Sequence, residues 1–248
     1  MGLVSLKEDE WLQPAPDLAA RAAAFDAHPD SVQLTPRARA PGAELAALLG
    51  ADGGLEDAAR HAHEDICLLL PDGPDAPYRL IGAAVAWPTD WHPADKLGLP
   101  LTALHAPIQG YAQQLATGVD HFMAKLQPGR IFGRCNWFVA PTPAKRWIDT
   151  APAQQAFAHV TPANAGETLF VRCERQTLRR LPKTGAIVFT IGVYVSPLGA
   201  LSNDNAARLA RSLATIPADE AERRGAACFA PQVAAHAAAR RAMKGPVR

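Results

Sequence analysis

A chain of 248 residues with 48% hydrophobic and 20% charged residues has the composition of a globular protein with a sizeable core. Its formal net charge of +1 gives no footing for nucleic acid or an anionic membrane as partner. Cys67, Cys135, Cys173 and Cys228 lie far apart with no CxxC pair, which points to reduced thiols and away from a disulfide framework or zinc site.

The opening MGLVSLKEDEW carries acidic residues where a signal peptide needs an apolar run. No stretch approaches the roughly 18 apolar residues of a membrane span, so a cytoplasmic protein is expected. Residues 1–40, rich in proline and alanine, read as an N-terminal arm with one helix around Asp17–Ala27. Ala43–Leu49 and Leu55–His63 read as short helices around the Ala-Asp-Gly-Gly turn at 51–54. Ile66–Leu70 and Tyr78–Trp87 flank the turn-rich PDGPDAP and predict a β-hairpin. An irregular, proline-bearing segment follows, Pro88–Gly110. Tyr111, Leu115, Val119, Phe122 and Leu126 then share one face of a helix over 111–126, stopped by Pro128-Gly129.

Three more strands are predicted over Ile131–Val139, Thr168–Gln176 and Ala186–Val195. In the last, Ile187, Phe189, Ile191 and Val193 alternate with Val188, Thr190, Gly192 and Tyr194, giving one apolar and one mixed face. Helices over 205–215 and 218–241 close the chain. Five strands, with helices between the second and third, predict an α+β fold on an antiparallel sheet with helices on one side. The organisation read from this is a single domain over 1–248: the arm at 1–40, a core at 60–200 and C-terminal helices over 201–248.

Three clusters carry candidate chemistry. DWHPADKLGLPLTALHAPIQGY at 90–111 holds His92, Lys96 and His105 on a proline-stiffened loop leading into a helix, where a histidine suits axial iron ligation. The alternative is that His105 caps the helix or fills a core position. ERQTLRRLPKTGA brings Arg175, Arg179, Arg180 and Lys183 together just after Arg172, and guanidinium groups suit carboxylates such as haem propionates or an acidic substrate. Arg179, Arg180 and Lys183 read as a solvated hairpin surface. Arg172 and Arg175 sit within the strand and need definite partners, with Glu174 at hand. His61 and His63, followed by Glu64 and Asp65, are a weak metal seed. GxSxG, P-loop, GxGxxG and HExxH motifs are absent, as is the CxxCH of covalent haem.

The opening MGLVSL with Trp11, EDICLLLP at 64–71, the 90–111 segment, RCNW at 134–137 and ERQTLRRLPKTGAIVFTI at 174–191 together resemble the haem-dependent oxidative N-demethylase family, in the family's order and over most of the chain. The resemblance implies a PAS-like core binding b-type haem. It also implies oxidation of a small secondary amine with dioxygen, releasing formaldehyde and a primary amine. A flavin and iron–sulfur reductase subunit would supply electrons, and a folate-binding subunit would be a further partner.

On this resemblance His105, in HAPIQG, becomes the metal ligand, with Lys96, Arg172 and Arg175 as further cofactor-binding residues. Asp65, Glu174 or Tyr194 would orient an alkylammonium substrate. Two departures stand out: FTIGVY puts Gly192 where the family has an arginine, and HAPIQG replaces HAPVPG. A haem sensor or carrier that keeps the fold without catalysis is the alternative that Gly192 favours. A cofactor-free scaffold is a third.

Overall fold

A computed structural model describes residues 2–14, 17–74, 76–106, 110–111, 115–148 and 151–242. The fold is α+β. Among the described residues are strands β1 (Val4–Leu6), β2 (Val32–Leu34), β3 (Asp65–Pro71), β4 (Tyr78–Ala84), β5 (Ile131–Ala140), β6 (Phe170–Arg180) and β7 (Ile187–Pro197). They form one open sheet in the order β1-β5-β6-β7-β3-β4-β2. The predicted five are its interior. The two added strands, three residues each, are its edges and are too short to show a period of two. The expected hairpin is present: β3 and β4 pair antiparallel, with a register shift between Leu68 and Leu69. β3 also pairs antiparallel with β7, setting Cys67 opposite Phe189 and Leu69 opposite Ile187.

Among the described residues the α-helices are α1 (Leu18–Ala27), α2 (Arg39–Leu48), α3 (Leu55–Arg60), α4 (Pro93–Lys96), α5 (Leu101–Leu104), α6 (Ala116–Lys125), α7 (Ala153–Ala156), α8 (Ala165–Thr168), α9 (Asn203–Ala214), α10 (Ala218–Arg223) and α11 (Ala230–Ala242). Among the described residues no helix is long and apolar enough to cross a membrane. The helix expected over 111–126 is regular only from Ala116, and its residues 112–114 lie outside the described ones. The helix expected over 218–241 is two, because Gly225 takes a left-handed conformation at φ 61° that ends α10.

Contacts divide the chain into two compact units, Met1–Asn136 with Glu174–Val193, and Trp137–Cys173 with Tyr194–Arg248. In the first, alternation along each strand sorts side chains onto two faces. Ile66, Leu68, Ile81 and Val188 pack with Leu45 of α2 and Leu55, Ala58 and Ala59 of α3. Cys67, Leu69, Leu80 and Ile187 point the other way and pack with Leu101 of α5 and Met123 of α6, so helices cover both faces of the sheet and not the single side expected. Each buried leucine or isoleucine contributes about 1.5–3 kcal/mol.

In the second unit Phe157, Leu169, Leu198, Leu209, Phe229 and Val233 form the core. The buried stripe of α9 is Ala206, Ala207, Leu209 and Leu213, and Ser202 caps the helix by accepting from the Asn205 N–H.

Candidate functional site

The segment before His105 is bound to the edge of β4. Gly98 N–H donates to Leu80 O at 2.7 Å, Leu80 N–H to Leu99 O at 3.1 Å, and the Arg79 guanidinium to Gly98 O at 2.9 Å. Pro100 then opens α5, whose Leu101 is buried in the core. The helix lasts four residues and ends at His105.

Nδ1 of His105 lies 2.9 Å from Leu101 O. A carbonyl only accepts, so Nδ1 carries the proton and the Nε2 lone pair is left for another partner. The imidazole stacks on the Tyr111 ring at 4.3 Å between centroids and 17° between planes. Burial lowers the His105 pKa; the Leu101 bond opposes this, and the nearby charges of Lys96 and Arg134 reinforce it. The ring is therefore neutral at neutral pH, the form that binds a metal.

Tyr111 is itself buried, and burial together with the Asp120 charge pushes its phenol up to about 12. The Tyr111 hydroxyl and Asp120 Oδ1 are buried and have no hydrogen-bond partner among the described residues. Of HAPIQG, residues 107–109 lie outside the described residues.

Lys96, half-buried, donates from Nζ to Leu104 O at 3.2 Å. Arg134 is exposed on β5, two residues beyond Phe132, whose ring packs toward α5 and α6. It makes no hydrogen bond or ion pair with a described residue. RCNW contains this arginine, and the sequence alone assigns it no role. Its position two residues from an inward phenylalanine on a strand was the available signal.

The β6 and β7 side chains divide sharply. Thr177 and Thr190 are buried and share a hydrogen bond of 2.5 Å between hydroxyls. Arg179, on the same face, is 6% exposed. It lies 4.0 Å over the Trp11 ring and pairs with Glu8 at 2.7 Å. Arg175 donates to Trp11 O at 2.9 Å and to Glu10 O. Glu174, Gln176 and Leu178, with Phe189 and Ile191 of β7, take the opposite face and are half-buried. Glu174 accepts from the Thr89 hydroxyl at 3.2 Å and from the Gln176 amide at 3.1 Å.

The solvated-surface reading therefore holds for Lys183 alone among the turn cations. Arg180 donates to Leu126 O, Met123 O, Gly185 O and the Tyr78 hydroxyl, tying the end of α6 to the hairpin. Glu44 closes the turn by accepting from the Lys183 and Thr184 N–H groups and the Thr184 hydroxyl. These partners are distant in sequence, which is why the local pattern read as surface.

Asp65 is 1% exposed and pairs with equally buried Arg21 at 3.0 Å. It also accepts from Ala86 N–H at 2.7 Å and Trp87 N–H at 3.1 Å. Burial pushes its carboxyl up, against the pull of Arg21 and the two N–H groups. Arg21 further donates to Ala59 O, His63 O and Glu64 O. This knot joins α1 to the start of β3.

Within the second unit, buried Arg172 donates to Ala144 O at 3.3 Å and Lys145 O at 2.7 Å. Its guanidinium lies 5.8 Å from the centre of the Phe138 ring. Tyr194 is half-buried in the same unit.

His61 is exposed and bonded to Asp57 O at 2.8 Å. Among the described residues no group of three His, Cys, Asp or Glu is placed to hold a metal ion. A shallow depression of about 300 Å³ opens between α6 and β5, lined by Phe122, Lys125, Leu126, Gln127, Arg130 and Phe132. Its two phenylalanine rings meet edge to face at 5.3 Å.

Residues 50–234 match the family model described as haem-dependent oxidative N-demethylase, alpha subunit-like.

Proposed function

Since the chain belongs to the haem-dependent oxidative N-demethylase, alpha subunit-like family, we propose that it binds b-type haem through His105 and removes an N-methyl group from a small secondary amine. The overall change is amine, dioxygen, two electrons and two protons giving the demethylated amine, formaldehyde and water. The electrons come from a reductase partner of flavin and iron–sulfur type, in keeping with the alpha-subunit description of the family. The interior strand order β5-β6-β7-β3-β4, with α4 to α6 between β4 and β5, supports a PAS-like core.

The observation that carries this reading is the state of His105. A neutral ring whose Nδ1–H is spent on Leu101 O is how proteins orient a histidine to offer Nε2 to a metal. Lys96 and Arg134 add positive charge beside it, suited to a cofactor's carboxylates. Arg172 and Arg175, whose guanidinium groups engage backbone carbonyls, are the weaker assignment for that role.

Haem, when bound, supplies dioxygen activation and electron storage. The protein's own residues bind and orient the amine. Glu174, steadied by Thr89 and Gln176 on the half-buried sheet face, is the carboxylate assigned to the substrate ammonium. Asp65 is the weaker choice, because its charge is balanced by Arg21 inside the core. Leu178, Phe189 and Ile191 on that face give the N-methyl groups an apolar, water-poor wall.

Purification with haem supplied tests the reading. A Soret band in wild type, lost in His105→Ala, is expected, and a wild-type protein without one refutes it. With reductant, dioxygen and dimethylamine, formaldehyde is the expected product. A second reading, a haem sensor or carrier, is favoured by Gly192, which leaves the position without the family's charged side chain. An intact Soret band with no formaldehyde from a panel of secondary amines would establish it instead.

A further inference from the structure

Resting on the reading of His105 as the ligand, we propose that Tyr111 is the positioning residue of this site and that its ring, rather than its hydroxyl, sets the plane of the His105 imidazole. The bond from Nδ1 to Leu101 O pins one edge of the imidazole. Rotation about that pinned edge would still swing Nε2 through a wide arc. The face-to-face stack at 4.3 Å and 17° opposes that rotation, because tilting the imidazole drives it into the Tyr111 ring.

Tyr111 is fit to be the fixed partner. Only 6% of it is exposed, whereas His105 is half-buried at the end of a four-residue helix. The hydroxyl has no described partner, and neither does Asp120 Oδ1 beside it. A buried hydroxyl without a hydrogen bond stabilises nothing that phenylalanine would lack. The ring is what the site uses.

Tyr111→Phe and Tyr111→Leu separate these roles, with Tyr111→Met as a second ringless variant should leucine fail to fold. In the haem-free full chain with ¹⁵N-labelled histidine, wild type and Tyr111→Phe should both show the Nδ1–H tautomer with slow solvent exchange. Loss of a stack is worth about two- to tenfold in an equilibrium, so a ringless variant should exchange that proton about two- to tenfold faster. In the ferric haem-loaded protein, electron paramagnetic resonance should give the same g values for wild type and Tyr111→Phe and a broadened set for the ringless variant.

A folded ringless variant with wild-type exchange and g values overturns the proposal. So does a Tyr111→Phe variant that behaves like the ringless one, which would transfer the role to the hydroxyl. Should His105→Ala keep its Soret band, the ligand reading falls by itself, and the haem-free exchange measurement still decides whether Tyr111 orients the ring.

Discussion

Replacing Asp65 by asparagine separates a structural from a substrate-binding role for a carboxylate that the sequence offers for either. In wild type every contact to Asp65 is a donor: Arg21 Nη1 at 3.0 Å, Ala86 N–H at 2.7 Å and Trp87 N–H at 3.1 Å. Asparagine keeps one acceptor oxygen and turns an NH₂ toward the remaining donors: with the oxygen at the Oδ1 position Trp87 N–H keeps only a 3.4 Å contact, and at the Oδ2 position Arg21 and Ala86 lose theirs. Arg21 keeps its three carbonyls but loses its counterion at 1% exposure. Breaking one side of a buried ion pair costs about 3–5 kcal/mol, a large share of the roughly 5–15 kcal/mol that holds a typical protein folded.

Equilibrium denaturant unfolding of Asp65→Asn should show that loss, and Arg21→Met with Asp65→Leu should recover part of it by removing both charges. A variant less than about 1 kcal/mol below wild type that also failed to turn over amine would refute the structural reading. It would return Asp65 to the substrate.

Arg180→Met strips the Leu126 carbonyl at the end of α6 of its donor and leaves Met123 O with the Leu126 N–H alone. A destabilisation of about 2–4 kcal/mol is expected by denaturant unfolding, and an unchanged midpoint would show that water replaces the guanidinium without loss. Glu220, held to about 2 by its hydrogen bond to Arg223 against the opposing effect of burial and with the help of Arg224, tests the second unit. Its folded pKa is depressed, so its stabilisation is complete above the unfolded value near 4.5 and fades as pH falls toward about 2. Partial exposure screens the pair to about 1 kcal/mol. Glu220→Gln should flatten the acid limb of a stability profile between those values, and an acid limb as steep as wild type would refute the assignment.

The interior strands were legible because each is seven or more residues long and alternates or runs apolar. β1 and β2 were not, since three residues carry no readable period. His105 was legible as a candidate from its loop, yet its tautomer depends on a carbonyl four residues back, and its ring plane on Tyr111, which the sequence presented only as an apolar helix position. Arg179 and Arg180 read as surface for want of a local partner. Glu8 lies 171 residues from Arg179, and Met123 lies 57 from Arg180. Charge burial of this kind is a tertiary fact that no window of sequence contains.

Gly192 changes meaning once the two sheet faces are separated. The expectation set it beside Tyr194 on a face that would line the pocket if that face were the open one. By alternation Gly192 falls with Val188 and Thr190. Val188 lies in the core under α2 and α3, and Thr190 is bonded to Thr177 inside it. Phe189 and Ile191, half-buried, look the other way, as does Glu174 on β6. Gly192 itself is buried. A glycine inside a strand weakens it and lets another backbone or side chain approach closely, so a glycine at this position bears first on what packs beneath the sheet. The half-buried face keeps Glu174, Leu178, Phe189 and Ile191, and on the proposed reading the glycine acts through the packing of β7.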